Sequence, residues 1–159
     1  GYVANQSLTG MLARLGLDDG PRTLVWIACS AVVGVIAVVA MHRALAARDR
    51  LTALCVNAVL GLLVSPVSWS HHWVWSVPIL VLCIHAGLTR RSVALPALGM
   101  IGAVLLHFPA HWRLGPGRWD GVGWPLWDQI QASSYVWWGL AFLVVAAVLP
   151  RRRTPEPVA

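Results

Sequence analysis

The chain has 159 residues, of which 58% are apolar and only 11% are charged. This composition excludes a disordered chain and argues against an ordinary soluble domain, because its apolar runs approach the length that crosses a bilayer as a helix, roughly 17–25 residues. The net charge of +6 comes from arginines in short loops between those runs. Arginines placed there act as topology signals, so we expect membrane lipids around the chain and no nucleic-acid partner.

The first residue is Gly1 rather than a methionine. No basic segment followed by a small-residue cleavage site opens the chain, so we expect no signal peptide. We expect the sequence to be part of a longer protein.

Five apolar runs predict an all-α fold, a polytopic membrane bundle of about five transmembrane helices, because backbone groups in hydrocarbon must bond within their own helix. The second and third runs are short, which fits a locally thin membrane or a hinge that dips below the surface. The predicted spans are Thr23–His42, Leu51–Pro66, Trp73–Leu88, Ser92–Phe108 and Ser134–Pro150.

The organisation that follows is an outer polar segment at 1–22 and a transmembrane bundle at 23–150. The bundle carries an outer loop at 109–133, and a cytoplasmic tail follows at 151–159. Arginines are denser after the first, third and fifth spans than in the long outer segments. The positive-inside rule then predicts an inner-membrane protein whose C-terminus is cytoplasmic and whose active face lies outside.

The stretch between the second and third spans gives the strongest functional signal. It holds two adjacent histidines, His71 and His72, among three serines and three tryptophans. Neighbouring side chains point in different directions in an extended turn or in a helix, so the pair rarely binds one metal, and no nearby cysteine or carboxylate completes a site. The alternatives are N–H donation to a lipid phosphate and plain decoration of the membrane interface. We expect no metal and no cofactor.

Polar side chains also precede the first span. Asn5, Gln6 and Ser7, followed by Arg14, suit sugar hydroxyls because amides and hydroxyls both donate and accept hydrogen bonds. Taken alone, this segment is typical of a polar loop. In the outer loop, Asp120 or Asp128 is a candidate general base, although no positional signal selects either one.

Tryptophan is abundant, with ten residues in the chain. Most of these rings fall at one predicted level of the membrane, and the ordinary interpretation is an interfacial aromatic belt. The alternative is that some of them line a sugar or lipid groove, since a flat apolar face can stack on a pyranose.

Two of these segments together resemble the C-terminal half of glycosyltransferase family 87, a family of actinobacterial mannosyltransferases with the GT-C architecture. The resemblance covers roughly residues 4–90, and the later spans match in pattern. The residues that carry it are Asn5-Gln6-Ser7-Leu8 with Gly10 and Arg14, and Ser65-Pro66-Val67-Ser68-Trp69 with His71-His72-Trp73.

The resemblance implies an inverting transfer of mannose, outside the cytoplasmic membrane, from a polyprenyl-phosphate-linked sugar donor to a glycolipid acceptor. It implies that His71 and His72 are catalytic and stabilise the departing phosphate. The substrate-binding residues that it implies are Asn5, Gln6, Ser7, Arg14, Ser68 and Trp69.

The base that deprotonates the acceptor is expected in an early outer loop of such enzymes, and no such loop is present here. We therefore expect this chain to hold half a site and to transfer no sugar alone. The alternative is a non-catalytic polytopic membrane protein, a subunit or transporter fragment with an aromatic belt. The upstream gene sequence separates the two, because the enzyme requires further spans and a loop aspartate.

Overall fold

The computed structural model describes residues 2–90, 93–114 and 120–149. These residues form helices joined by short connections, which confirms the predicted all-α class. The α-helices are α1 (Leu8–Arg14), α2 (Asp19–Ala46), α3 (Arg50–Val64), α4 (Ser76–Arg90), α5 (Ala94–His107), α6 (Leu126–Ala132) and α7 (Ser134–Val148), with 3-10 helices at Ser70–Trp75 and Ala110–Trp112.

Within these ranges, three helical segments are long and apolar enough to cross a membrane: Asp19–Ala46, Ser70–Thr89 and Ala94–Trp112. The pair α6 and α7 gives a fourth if its 64° bend lies within one span. Helix α3 is apolar but has only 15 residues. At 1.5 Å per residue it is about 22 Å long, shorter than the roughly 30 Å hydrocarbon core. The structure thus supports three to four spans, and a fifth through α3 stays a prediction.

The first helix of the bundle is longer than predicted at both ends, from Asp19 to Ala46 instead of Thr23–His42. Pro21 does not prevent this, because the first N–H groups of a helix have no partner within the helix. The last residues of the predicted polar segment 1–22 are therefore helical.

The rest of that segment also differs from a polar loop. Residues 8–14 form α1, and this part of the chain buries apolar side chains: Val3, Ala4, Leu8 and Leu12. Similarly, the predicted loop 109–133 contains a 3-10 helix and α6. The two segments pack against each other, because Val3 forms an apolar cluster with Trp124, Ala132 and Leu114. The tail at 151–159 lies outside the described residues.

The bundle packs α2 against α3 and α7, α4 against α5, and α5 against α7. One close approach shows how tightly the helices meet. The ring of Trp138 covers Gly102, where any Cβ would overlap the indole, and the indole N–H donates to the Leu98 carbonyl at 2.9 Å. This contact fixes α7 against α5.

Successive helices run in alternating directions, so three connecting segments meet at one end of the bundle. They are residues 2–18, the hinge at 65–75, and residues 108–133; we call this the loop end. At the opposite end, an Arg43 guanidinium N–H donates to the Leu149 carbonyl at 3.3 Å and joins α2 to α7. The predicted site residues all belong to the loop end.

Candidate functional site

The Asn5 side chain connects the N-terminal segment to the hinge. Its Nδ2 donates to the Pro66 carbonyl at 3.0 Å, and its Oδ1 accepts from the Ser68 backbone N–H at 2.9 Å. The backbone adds a third link, because the Gln6 N–H donates to the Ser68 carbonyl at 2.7 Å. An amide suits this place since it donates and accepts at once. We call this group of hydrogen bonds the Asn5 clip.

Ser7 and Gly10 hold Asn5 in position. The Ser7 hydroxyl donates to Asn5 Oδ1 at 2.9 Å and accepts from the Gly10 N–H at 3.1 Å, so it also caps the start of α1. Gly10 lies directly under Asn5, where a Cβ would overlap the Asn5 carbonyl oxygen. Glycine is therefore required here for close approach and not for backbone conformation.

Gln6 is fully buried, and it links the N-terminal segment to the end of α6 and to the hinge. Its Nε2 donates to the Val3 carbonyl at 2.9 Å and to the Ala132 carbonyl at 2.8 Å. The backbone carbonyl of Gln6 accepts from the Trp73 indole N–H at 3.2 Å. Trp73, in turn, is buried with its ring centroid 5.6 Å from that of Tyr135. Gln6 thus links the hinge to the end of α6, and the ring of Trp73 contacts α7 directly.

Arg14 is also fully buried, at the end of α1. Its Nη1 donates to the Asn5 carbonyl at 2.9 Å and its Nη2 to the Ser133 hydroxyl at 2.7 Å. Burial lowers the pKa of Arg14 from its usual value to about 10, so the guanidinium is still charged at neutral pH. Its backbone carbonyl accepts from Gln129 Nε2 at 2.8 Å. Arg14 therefore ties the Asn5 clip to the start of α7.

His71 and His72 differ from all of these residues because both are exposed. They are the second and third residues of the 3-10 helix Ser70–Trp75, and their ring centroids are 4.4 Å apart with the planes at 78°. The His72 backbone N–H donates to the Trp69 carbonyl at 2.8 Å, which closes the first turn. The two imidazoles are available to donate N–H groups to an anion that approaches the loop end.

In the described ranges, no group of three His, Cys, Asp or Glu side chains could hold a metal ion. Asp120 is exposed, and its Oδ1 accepts from the Val122 N–H at 3.2 Å within a turn. Asp128 lies in the first turn of α6. Neither position selects one of these carboxylates as a general base.

The structure brings the two sequence motifs together as one unit. The residues Asn5, Gln6, Ser7, Arg14 and Ser68 form its interior, and Trp69 and the histidine pair lie at its surface. Because the interior residues donate to and accept from neighbouring protein groups, they hold the hinge in place. Direct contact between these residues and a substrate stays a prediction.

Several residues of this unit were not found from the sequence. Gln129 and Ser133 bond to Arg14, and His111 is fully buried with its ring centroid 5.1 Å from that of Tyr135. No spacing pattern identifies them, because they come from the loop 109–133, which the sequence presents as irregular. The sequence offered one signal for them, the amide of Gln129 followed by the adjacent serines Ser133 and Ser134 ahead of an apolar run.

The aromatic belt is only partly present. Trp73, Trp124 and Trp138 are buried and pack within the protein, whereas Trp69, Trp112, Trp127 and Trp137 are exposed. The belt interpretation was wrong for the first three. Trp73 packs against Tyr135 and Trp138 against Gly102, and Trp124 lies in an apolar cluster with Val3 and Ala132.

The family model of glycosyltransferase family 87 matches residues 1–66. A Mycobacterium tuberculosis protein named polyprenol-phosphate-mannose-dependent alpha-(1-2)-phosphatidylinositol mannoside mannosyltransferase is 40% identical over 153 residues, covering 96% of this chain and 35% of the relative. A Mycolicibacterium smegmatis protein of the same name is 42% identical over 158 residues, covering 94% of this chain and 35% of the relative.

A second Mycolicibacterium smegmatis relative is named as a pentamannoside mannosyltransferase with the same donor. It is 34% identical over 150 residues, covering 91% of this chain and 34% of its own length. No solved structure matches the chain.

These matches confirm the resemblance that the two motifs indicated. The chain belongs to glycosyltransferase family 87, a family of membrane mannosyltransferases. It spans about a third of the length of the curated relatives it matches, 35% for the first two.

A pair of glycine substitutions tests the packing under the Asn5 clip. Gly10→Ala should destabilise the chain by about 1–3 kcal/mol, because the new methyl group displaces Asn5. Gly34→Ala in α2 is the matched control. Its Cβ would meet nothing within 4 Å, so it should be neutral or stabilising by up to about 1 kcal/mol.

The measurement is the free energy of unfolding of each variant in mixed micelles. Equal effects of the two substitutions would show that Gly10 is not closely packed against Asn5.

Proposed function

We propose that this chain is the C-terminal membrane part of an inverting mannosyltransferase. The donor is mannose on a polyprenyl phosphate, and the acceptor is a cell-envelope glycolipid of the phosphatidylinositol mannoside class. Family membership supports glycosyl transfer, and the names of the Mycobacterium tuberculosis and Mycolicibacterium smegmatis relatives supply the donor and acceptor classes.

One observation carries the role of this part of the enzyme. His71 and His72 are exposed side by side on a short helix, while the hinge around them is joined to the N-terminal segment by three hydrogen bonds. Donors that are already fixed stabilise developing charge without reorganising during the reaction. This is the arrangement that a departing phosphate requires.

In the proposed reaction, the acceptor hydroxyl oxygen forms a bond to the anomeric carbon of mannose. The bond between that carbon and the donor phosphate oxygen breaks, and its electron pair leaves with the polyprenyl phosphate. The N–H groups of His71 and His72 donate to that phosphate as its charge develops. The proton of the acceptor passes to a base outside these 159 residues.

The site is therefore completed by another part of the enzyme, and mannose transfer by the 159-residue chain alone would contradict this division. The half-buried Asn5 and the buried residues Gln6, Ser7, Arg14 and Ser68 then take part chiefly by positioning the hinge. The family resemblance implies that these residues bind substrate, and the proposal gives them a positioning role instead.

Replacement of the two imidazoles tests the phosphate contact. In the full-length enzyme, His71→Ala or His72→Ala should lower kcat for mannose transfer by about 10²- to 10³-fold, the usual loss when one fixed donor to a developing anion is removed. The measurement is transfer of radiolabelled mannose in membranes, with membrane insertion checked by immunoblot.

His42→Ala is the control for this test. His42 is also exposed, but it lies in the second half of α2, away from the loop end. It should keep activity within about twofold of the parent, since no phosphate contact is removed. Full activity of both hinge variants would remove the phosphate-contact role.

We further propose that the loop end faces the outside of the cytoplasmic membrane, as the arginine distribution indicates. A cysteine at Ser70 should react with an impermeant thiol reagent added to intact cells. Arg50→Cys, at the opposite end of α3 from the hinge, should react only after lysis.

The native cysteines of this part of the chain should add little labelling, because Cys55 and Cys83 are buried. The half-buried Cys29 is removed by making both variants in a Cys29→Ala background. Labelling of the Ser70 position only after lysis would reverse the orientation.

A further inference from the structure

Three aromatic rings from distant parts of the chain meet at the surface of the loop end. The ring centroid of Tyr2 lies 5.2 Å from that of Trp69, with the planes at 57°. It lies 6.2 Å from that of Trp112, with the planes at 72°. We call these three rings the aromatic platform. Each comes from one of the three segments that form the loop end.

The platform rings are assembled and yet remain accessible. Tyr2 is 41% exposed, Trp69 37% and Trp112 42%. Large aromatic side chains bury most of their area when packing is their only role, as Trp73 and Trp138 do nearby. A cluster that stays half open therefore has further apolar area to offer to a ligand.

Backbone contacts fix the main chain beside each of the three rings. Trp69 is paired with Asn5 in an isolated antiparallel bridge, and the Tyr2 carbonyl accepts from the Asn5 N–H at 2.9 Å. The Trp112 N–H donates to the Pro109 carbonyl at 3.2 Å. Because the rings also contact one another, they are assembled before a ligand arrives and lose less conformational freedom on binding, which favours affinity.

The position of the platform indicates what it binds. Trp69 immediately precedes the 3-10 helix that carries His71 and His72. At about 2 Å per residue in such a helix, the backbone of His71 lies roughly 4 Å along the axis from Trp69. A ring-sized ligand on the platform would have its edge next to the imidazole pair.

We infer that the aromatic platform is a binding subsite for a hexopyranose ring. The C–H groups on one face of a pyranose make an apolar patch that packs on aromatic rings, while its hydroxyls stay at the rim for hydrogen bonds. This inference rests on the proposed function, because mannose occurs there in the donor and in the acceptor. It adds the residues that would hold the sugar beside the phosphate contact.

A membrane belt is the competing explanation for exposed tryptophans at this level. Trp127 and Trp137 fit that description, since they are 68% and 44% exposed. Neither has a ring contact with a platform residue, and the Trp137 indole N–H donates to the Ile130 carbonyl at 3.1 Å. The chain therefore offers Trp127 as a matched control.

The test uses full-length enzyme in lipid nanodiscs and measures KM for each substrate separately. Trp69→Ala, Trp112→Ala and Tyr2→Ala should each raise KM for one sugar substrate by about five- to tenfold, the effect of losing about one aromatic contact. A rise for the glycolipid assigns the subsite to the acceptor sugar, and a rise for the polyprenyl phosphate mannose assigns it to the donor sugar. Trp127→Ala should change neither constant by more than about twofold.

Binding without catalysis is measured in parallel, by saturation-transfer NMR with methyl α-D-mannopyranoside as the probe. Saturation of the mannoside C–H protons should fall in the Trp69→Ala variant and persist in Trp127→Ala. Trp69→Tyr keeps a ring at the site, so it should retain the signal and thereby separate loss of stacking from loss of folding.

Unchanged KM values and unchanged saturation in the platform variants would overturn the subsite, even if His71 and His72 prove essential for transfer. Equal losses in Trp127→Ala would also overturn it and favour the belt. The opposite result is also informative. If the enzyme transfers no mannose but the mannoside signal still depends on the platform residues, the subsite stands and the proposed function fails.

Discussion

The hydrogen bonds of the Asn5 side chain to the hinge are the contact on which the loop end depends. The Asn5 amide donates to the Pro66 carbonyl and accepts from the N–H of the buried Ser68. Separation of the hinge from the N-terminal segment would therefore break both hydrogen bonds at once. A carboxylate could accept there but not donate, and an apolar side chain could do neither. Everything that the hinge carries, including the two imidazoles, takes its position from this contact.

The loop end divides its polar residues into two groups. Gln6, Arg14 and Gln129 are buried and bonded to backbone carbonyls or a hydroxyl of distant segments. Each also keeps one buried polar atom without a partner, namely Gln6 Oε1, Arg14 Nε and Gln129 Oε1. Because buried polar groups cost free energy unless they are bonded, the bonds that these side chains do make favour one arrangement of the segments. His71 and His72, with the aromatic platform, remain outside that interior. The buried group fixes the geometry, and in the function proposed above the exposed group contacts the sugar and the phosphate.

Much of this organisation was predictable from the sequence. Apolar runs located the five helices of the bundle, and the two short motifs located the loop end and the family, because both signals are local in the chain. The roles of individual residues were harder to predict. Asn5, Gln6 and Arg14 looked like a polar loop, but their side chains bond to Ser68, Ala132 and Ser133, which are remote in sequence. A pattern of residue types cannot show which distant segment covers a polar side chain. For the same reason, the burial of Trp73, Trp124 and Trp138 was missed.

The most direct measurement of the Asn5 clip is hydrogen exchange at the Ser68 amide, resolved to single residues by mass spectrometry with electron-transfer fragmentation. Asn5→Ala should accelerate exchange there by about tenfold or more, because the N–H loses its acceptor and the hinge opens locally. Asn57→Ala removes an exposed amide from α3 and should leave that rate unchanged. Slow exchange at Ser68 in the Asn5→Ala protein would contradict the claim that this side chain holds the hinge.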